Sequence, residues 1–124
     1  MGACVADFNN DGHQDAYLTA YGPDVLYRNN GDGTFSDVTK QAGIANPAWA
    51  TNCAFGDYDL DGDVDLYVAN YVRFDFKTVP KRGCKFMGRD VFCGPSGLDG
   101  EPDLLYRNNG DGTFTDVTSS TAVE

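Results

Sequence analysis

Two nine-residue acidic segments constrain this chain most strongly, because each crowds four oxygen-bearing side chains around one glycine. The first is residues 7–15 (DFNNDGHQD) and the second is residues 57–65 (DYDLDGDVD). Each has Asp or Asn at positions 1, 3, 5 and 9, and Gly at position 6. Such side chains repel one another unless a cation lies among them, and Ca²⁺ prefers six to eight oxygen ligands. We therefore predict two Ca²⁺ sites rather than two solvated acidic turns.

The predicted ligands are the side chains at positions 1, 3, 5 and 9 and the backbone carbonyl at position 7. In the first segment they are Asp7, Asn9, Asp11, the His13 carbonyl and Asp15. In the second segment they are Asp57, Asp59, Asp61, the Asp63 carbonyl and Asp65. Because Asn9 removes one negative charge, the first site is expected to bind Ca²⁺ more weakly than the second.

The residues around these segments indicate strands rather than the helices of an EF-hand. An EF-hand loop ends in a bidentate Glu at position 12, where this chain has Leu18 and Val68. The segments 16–21 (AYLTAY) and 66–71 (LYVANY) are rich in aromatic, β-branched and other apolar residues, which is typical of strands. Each acidic segment is therefore predicted to be a loop that joins two strands.

An internal repeat defines the organisation of the chain. Residues 24–39 recur almost unchanged at 103–118, and each copy carries an Asn-Asn-Gly-Asp-Gly turn typical of a β-hairpin. The acidic loops are 50 residues apart and these hairpins 79 apart, which places an insertion at about residues 71–101. We predict an all-β chain of two four-stranded antiparallel units, residues 1–45 and 46–124, with the insertion in the second. Asp32 and Asp111 are interpreted as turn residues rather than as further metal ligands.

Composition narrows the environment and the partners. The net charge of −10, which four positive charges from two Ca²⁺ would bring to −6, argues against nucleic acid or an anionic membrane as a partner. No stretch approaches the roughly 20 apolar residues that span a bilayer. Met1-Gly2 leads directly into a predicted strand, as expected of a mature or trimmed form. Four cysteines and loops suited to millimolar Ca²⁺ predict a secreted or cell-surface protein.

The cysteines and aromatic residues carry further expectations. Cys84 and Cys93 lie nine residues apart in the insertion, and a disulfide between them would pin that loop. Cys4 and Cys53 precede the two acidic loops, and we interpret them as small buried hydrophobic residues, with a bridge between units or chains as the alternative. The remaining aromatic residues considered are expected to pack in the core rather than bind a ligand. These are Tyr17, Tyr67, Phe35, Phe114 and Trp49.

The acidic loop between the first two strands, together with the motif Leu-Tyr-Arg-Asn-Asn-Gly-Asp-Gly-Thr-Phe, resembles the FG-GAP or VCBS repeats. The segment 55–66 (FGDYDLDGDVDL) is close to the consensus of that family, and 70–75 (NYVRFD) with 93–95 (CGP) resembles its bacterial secreted subgroup related to cartilage acidic proteins. The resemblance implies that the units are β-propeller blades. Propellers close with four to eight blades, so two blades leave two faces uncovered. The chain is then expected to assemble as a ring or fibre of copies, or to adjoin further blades of a longer chain.

The resemblance and the loops together predict a non-enzymatic, calcium-binding extracellular module for protein assembly or adhesion, in which calcium is structural. A carbohydrate-binding, lectin-like module is the alternative, and it requires exposed aromatic rings beside polar side chains in a groove between blades. An enzymatic function is disfavoured, since the sequence contains no arrangement of base and nucleophile. A glycan or a protein remains the expected class of ligand.

Overall fold

Strands dominate the structure, a computed structural model that describes residues 1–79, 83–91, 93–95 and 97–121. The first sheet consists of β1 (Ala3–Ala6), β2 (Asp15–Leu18), β3 (Val25–Asn29) and β4 (Phe35–Asp37). The second consists of β5 (Ala50–Gly56), β6 (Asp65–Asn70), β9 (Leu104–Asn108) and β10 (Phe114–Asp116). Within the insertion, β7 (Cys84–Phe86) and β8 (Arg89–Val91) form a separate hairpin.

Both large sheets are antiparallel meanders of the same design. The strand orders are β1-β2-β3-β4 and β10-β9-β6-β5. Equivalent residues pair in both sheets: Tyr17 lies opposite Leu26, and Tyr67 lies opposite Leu105. The predicted all-β fold of two four-stranded antiparallel units is therefore confirmed. Two single-turn helices that the sequence analysis did not predict follow the last strand of each sheet: α1 (Thr39–Ala42) and α2 (Thr118–Thr121).

The core lies between the two sheets. Alternate residues of a strand point to opposite faces, so Tyr17 and Leu26 of the first sheet meet Leu66 and Val68 of the second. All four of these side chains are fully buried. The helix α1 and the connection after it contribute Ala42 and Ile44 to the same core. One face of each blade-like sheet is thus covered, while the other face has no partner among the described residues.

A disulfide between Cys4 and Cys53 joins β1 to β5, with the two Cα atoms 5.8 Å apart. The expectation that these cysteines are unpaired small hydrophobic residues is therefore wrong. The physical reason is their spacing of 49 residues in a repeat of 50. A one-residue offset turns the two side chains to opposite faces of equivalent strands, and these are the faces that meet when the sheets stack. The second disulfide joins Cys84 to Cys93, the pair predicted in the insertion.

Three aromatic residues expected in the core lie outside it: Tyr67, Phe35 and Trp49. Tyr67 on β6 is half-buried and lies on the face of the second sheet opposite the buried Leu66 and Val68. Phe35 on β4 is 52% exposed, whereas its repeat equivalent Phe114 is 6% exposed. The difference arises because Phe35 lies on the uncovered face of the first sheet. Trp49, just before β5, is half-buried and packs against other aromatic rings rather than in the core between the sheets.

Candidate metal centres

The two acidic loops join β1 to β2 and β5 to β6, at the same end of both sheets. Positions 4 and 6 of each loop have left-handed backbone conformations. Their φ angles are 57° at Asn10 and 87° at Gly12, and 62° at Leu60 and 97° at Gly62. Two left-handed residues so close together fold the chain back on itself, and glycine at position 6 adopts this conformation without steric cost. The side chains at positions 1, 3 and 5 are thereby directed into one turn.

Backbone hydrogen bonds hold the acidic side chains in place. In the first loop, the N–H groups of Asp11 and Gly12 donate to the two oxygens of Asp7, at 3.0 and 2.8 Å. In the second, those of Asp61 and Gly62 donate to Asp57, at 3.1 and 3.0 Å. The two loops therefore share one geometry, in spite of their different sequences.

The structure brings three predicted ligands of the second loop together. Carboxylate oxygens of Asp57, Asp59 and Asp61 lie within 4.8 Å of one another. In the first loop the side chain of Asn9 replaces one carboxylate and donates from Nδ2 to Asp11 Oδ2 at 2.9 Å. This amide hydrogen bond relieves part of the repulsion that the second loop retains.

The aspartates at position 9 are buried, in contrast to the others. Asp15 accepts hydrogen bonds from the N–H groups of Phe8 and Asn29, and Asp65 accepts them from Tyr58 and Asn108. Burial raises the pKa of both carboxyls, and the carboxylates at other positions of the same loop raise it further. The position-9 aspartates are thus close enough to the other loop carboxylates to be repelled by them. Their hydrogen bonds to Asn29 and Asn108 also connect each loop to the third strand of its sheet.

Position 7 differs between the loops in its side chain. The His13 imidazole is exposed and lies against Gly31, where an added Cβ would come 2.5 Å from Nε2. The Asp63 carboxylate lies against Gly110 in the same way and accepts a hydrogen bond from Asn10 Nδ2 of the first loop at 2.7 Å. The hairpin turns therefore pack directly on the acidic loops, a contact that the sequence analysis did not predict.

Asp32 and Asp111 close the two hairpin turns through local hydrogen bonds, as the sequence predicts. Asp32 Oδ1 accepts hydrogen bonds from the N–H and the hydroxyl of Thr34, and Asp111 does the same with Thr113. The threonine hydroxyls, followed by the backbone N–H groups, lower the pKa of both carboxyls. These bonds account for both residues without a metal ion.

Asn108 links the two loops from within the second sheet. Its side-chain amide is buried and donates to the carbonyls of Phe8 and Val64, at 2.7 and 3.0 Å, one in each loop. Phe8 also packs on Phe114, with ring centroids 5.7 Å apart. Asn108 is the first Asn of the repeated Asn-Asn-Gly turn, a motif that by itself predicts only a hairpin.

Sequence comparison decides the family, since a sequence model of the FG-GAP-like repeat matches residues 7–68, half of the chain. The protein belongs to the FG-GAP-like repeat family. Cartilage acidic protein 1 of Homo sapiens is 39% identical over 51 residues, and that of Mus musculus is 37% identical over 51 residues. Each match covers 40% of this chain and 8% of the relative. This FG-GAP chain thus corresponds to a small part of those proteins.

No helix in the described ranges is long and apolar enough to cross a membrane.

Proposed function

We propose that the chain is a non-enzymatic extracellular repeat module in which Ca²⁺ stabilises the acidic loops and the blades assemble with like blades. The observation that supports calcium most strongly is the cluster of Asp57, Asp59 and Asp61. Within the described ranges, the one ion pair joins Arg73 to Glu101, outside the loops. Among the described residues, no lysine or arginine pairs with the cluster to offset its repulsion, and we propose that a bound cation supplies that charge.

The chemistry of the donors fits calcium. The side chains proposed as ligands are carboxylates and one amide, and hard oxygen ligands are what Ca²⁺ prefers. The residues proposed to hold the ions are the ten predicted from the sequence. Because binding is coupled to the folded turn, the free energy of calcium binding adds to the stability of the blades.

The two disulfides support an extracellular location. Disulfides form and persist in oxidising compartments, and the FG-GAP chain has no free cysteine within the described residues. Extracellular calcium modules bind with dissociation constants of about 10⁻⁴–10⁻³ M. Loops with affinities in this range are about half occupied or more at the millimolar calcium concentrations found outside the cell.

The uncovered faces of the two sheets support assembly with like blades. On the first sheet, Val5 is 64% exposed and Phe35 52% exposed. Their repeat equivalents in the second sheet, Phe55 and Phe114, pack in the core between the sheets. The exposed face of the first sheet is thus the same face that the second sheet already buries.

The exposed face of the second sheet corresponds to the face that the first sheet buries. Tyr67 is partly exposed, whereas its equivalent Tyr17 is fully buried. Tyr58 on the loop is 45% exposed, whereas its equivalent Phe8 is 3% exposed. A second FG-GAP unit placed on either face therefore repeats the packing found between the two sheets. Such a contact is head to tail, and it extends into a ring or a fibre according to the rotation between units.

Calcium dependence tests the proposal directly. With dissociation constants of about 10⁻⁴–10⁻³ M, 2 mM Ca²⁺ is about two to twenty times the dissociation constant, so each site adds roughly 0.7–1.8 kcal/mol to the free energy of unfolding. We expect the midpoint of thermal unfolding, followed by circular dichroism, to rise when 2 mM CaCl₂ replaces excess chelator. An unchanged midpoint would refute the calcium part of the proposal.

Two variants make this test specific. Asp61 Oδ1 accepts the Asp63 N–H, and Asp111 Oδ1 accepts the Thr113 N–H, so both carboxylates close similar turns. Asp61→Asn removes one negative charge from a proposed site, while Asp111→Asn removes one from a turn outside the sites and is the matched control. We expect only Asp61→Asn to reduce the calcium-induced rise in the midpoint.

The assembly part has a separate test. We expect sedimentation velocity in calcium to show particles larger than one chain at high micromolar concentration, and Phe35→Glu to shift them to monomer. Val91→Glu, on the exposed hairpin of the insertion, is the control that leaves assembly unchanged. Monomeric behaviour of the parent chain at all concentrations would contradict self-assembly without affecting the calcium result.

A further inference from the structure

A cleft of about 500 Å³ lies at the end of the sheets away from the acidic loops. Its wall combines the β2–β3 connection, the residues just before β5, and the start of the insertion. Two isolated β-bridges hold these segments together, one between Tyr21 and Trp49 and one between Val72 and Gly100. The volume falls in the range of ordinary small-ligand sites, about 300–1,000 Å³.

Five aromatic rings form a cluster in and around the cleft. Their centroids lie 4.9–6.0 Å apart, and each contact is edge to face. The rings are those of Tyr21, Trp49, Tyr71, Phe74 and Phe76. Edge-to-face contacts fix the rings relative to one another, and a hydrogen bond from the Tyr21 hydroxyl to the Phe74 carbonyl at 3.1 Å adds to this. Three rings remain open to solvent: Tyr21, Tyr71 and Phe76 are 45%, 41% and 75% exposed.

Charged side chains line the cleft beside the rings. Arg73 Nε lies 3.1 Å from Glu101 Oε2, and both residues face the cleft together with Asp75. Asp75 Oδ1 accepts the Lys77 N–H. The three charged groups sum to −1, on a chain whose net charge is −10. An anionic ligand is disfavoured by this balance, and a purely apolar ligand would desolvate the charges at high cost.

We propose that this cleft binds a neutral saccharide. The C–H face of a pyranose ring packs on an exposed aromatic ring, while its hydroxyls donate to Asp75 and Glu101 and accept from Arg73. Proline-rich peptides also dock on aromatic grooves, but their backbone carbonyls require hydrogen-bond donors in the wall of the groove. Two of the three charged groups here are carboxylates, which only accept hydrogen bonds when ionised. The donor-rich hydroxyls of a saccharide match that lining better.

The single tryptophan of the chain, Trp49, lies in the cleft, so fluorescence from selective excitation of tryptophan reports on this site. The probes are neutral hexasaccharides of glucose, mannose, galactose and N-acetylglucosamine, a heparin hexasaccharide and a ten-residue polyproline peptide. They are titrated into the folded chain at constant calcium. We expect a saturable change in fluorescence with at least one neutral hexasaccharide and none with heparin.

Variants separate binding from folding. Phe76→Ala removes the most exposed ring of the cluster, and we expect about tenfold weaker binding, which corresponds to roughly 1.4 kcal/mol. Phe86→Ala is the matched control, because Phe86 is also largely exposed but lies on the β7–β8 hairpin. We expect it to bind within about twofold of the parent chain. Circular dichroism checks that both variants fold.

Three outcomes would overturn the proposal. They are the absence of saturable binding to any neutral hexasaccharide, binding only of the polyproline peptide or heparin, and equal affinities of Phe76→Ala and Phe86→Ala for the saccharide that binds. The cleft is built without the acidic loops, so this result is independent of the calcium tests.

Discussion

The disulfide between Cys4 and Cys53 is expected to contribute more to the stability of the fold than the one in the insertion. It closes a loop with a sequence separation of 49 residues, whereas Cys84–Cys93 closes one of 9. In the chain-entropy treatment, restriction of the unfolded chain is worth about 4 kcal/mol for the longer loop and about 2.7 kcal/mol for the shorter. The longer loop also joins the two sheets, whose contact buries the core.

The perturbation is a pair of double variants, Cys4→Ala/Cys53→Ala and Cys84→Ala/Cys93→Ala. Small domains typically have about 5–15 kcal/mol of total stability, so a loss of about 4 kcal/mol removes a large part of it. We expect the first double variant to lose about 4 kcal/mol in urea denaturation followed by circular dichroism. The second is expected to lose no more than about 2.7 kcal/mol, because the large sheets do not depend on the insertion.

Both measurements use saturating calcium, so that loss of metal does not contribute to the difference. A first double variant that loses less stability than the second would refute the reasoning. It would mean that the sheets hold together without the covalent link between β1 and β5.

Two further predictions concern buried polar groups. In calcium-free buffer, the free energy of unfolding should decrease as the pH rises from the ordinary carboxyl pKa through the raised pKa of three buried aspartates. These are Asp15, Asp24 and Asp65. Burial raises each pKa, so protonation of these carboxyls stabilises the folded state, and this stabilisation is lost when they ionise. Calorimetry at several pH values measures the change, and stability that rises over this pH range would contradict the prediction. Asn108→Ala should cost about 1–3 kcal/mol in urea denaturation, because it removes the hydrogen bonds to the buried Phe8 carbonyl and the partly buried Val64 carbonyl. Asn29→Ala is the matched control, because it removes only exposed hydrogen bonds, one to the Gln14 carbonyl and one from the Gly31 N–H. Equal losses would count against the link between the loops.

Much of the fold follows from local sequence. The acidic loops, the Asn-Asn-Gly-Asp-Gly turns and the apolar segments between them specify strands and connections without reference to the rest of the chain. Their repetition places the insertion, since the spacing between copies changes from 50 to 79 residues. The two four-stranded units and the Cys84–Cys93 disulfide can therefore be predicted from the sequence.

The contacts between the two blades are harder to predict from the sequence, because they depend on which faces of the two sheets meet. The pairing of Cys4 with Cys53 depends on a one-residue offset in the repeat, which specifies a bridge only when the faces that meet are known. The exposure of Phe35 follows from the lack of a partner on one face, although its sequence context is the same as that of the buried Phe114. The aromatic cleft combines Tyr21, Trp49 and Phe74 from three separate connections, so no local pattern indicates it.

The central claim is that both acidic loops bind calcium, and the most direct measurement is the number of ions bound per chain. Native mass spectrometry of chelator-treated protein titrated with CaCl₂ gives this number, and isothermal titration calorimetry gives the affinities. The account predicts two ions per chain, with the loop that contains Asp59 filled before the loop that contains Asn9. A chain that takes up no calcium at millimolar concentration, or only one ion, would contradict it.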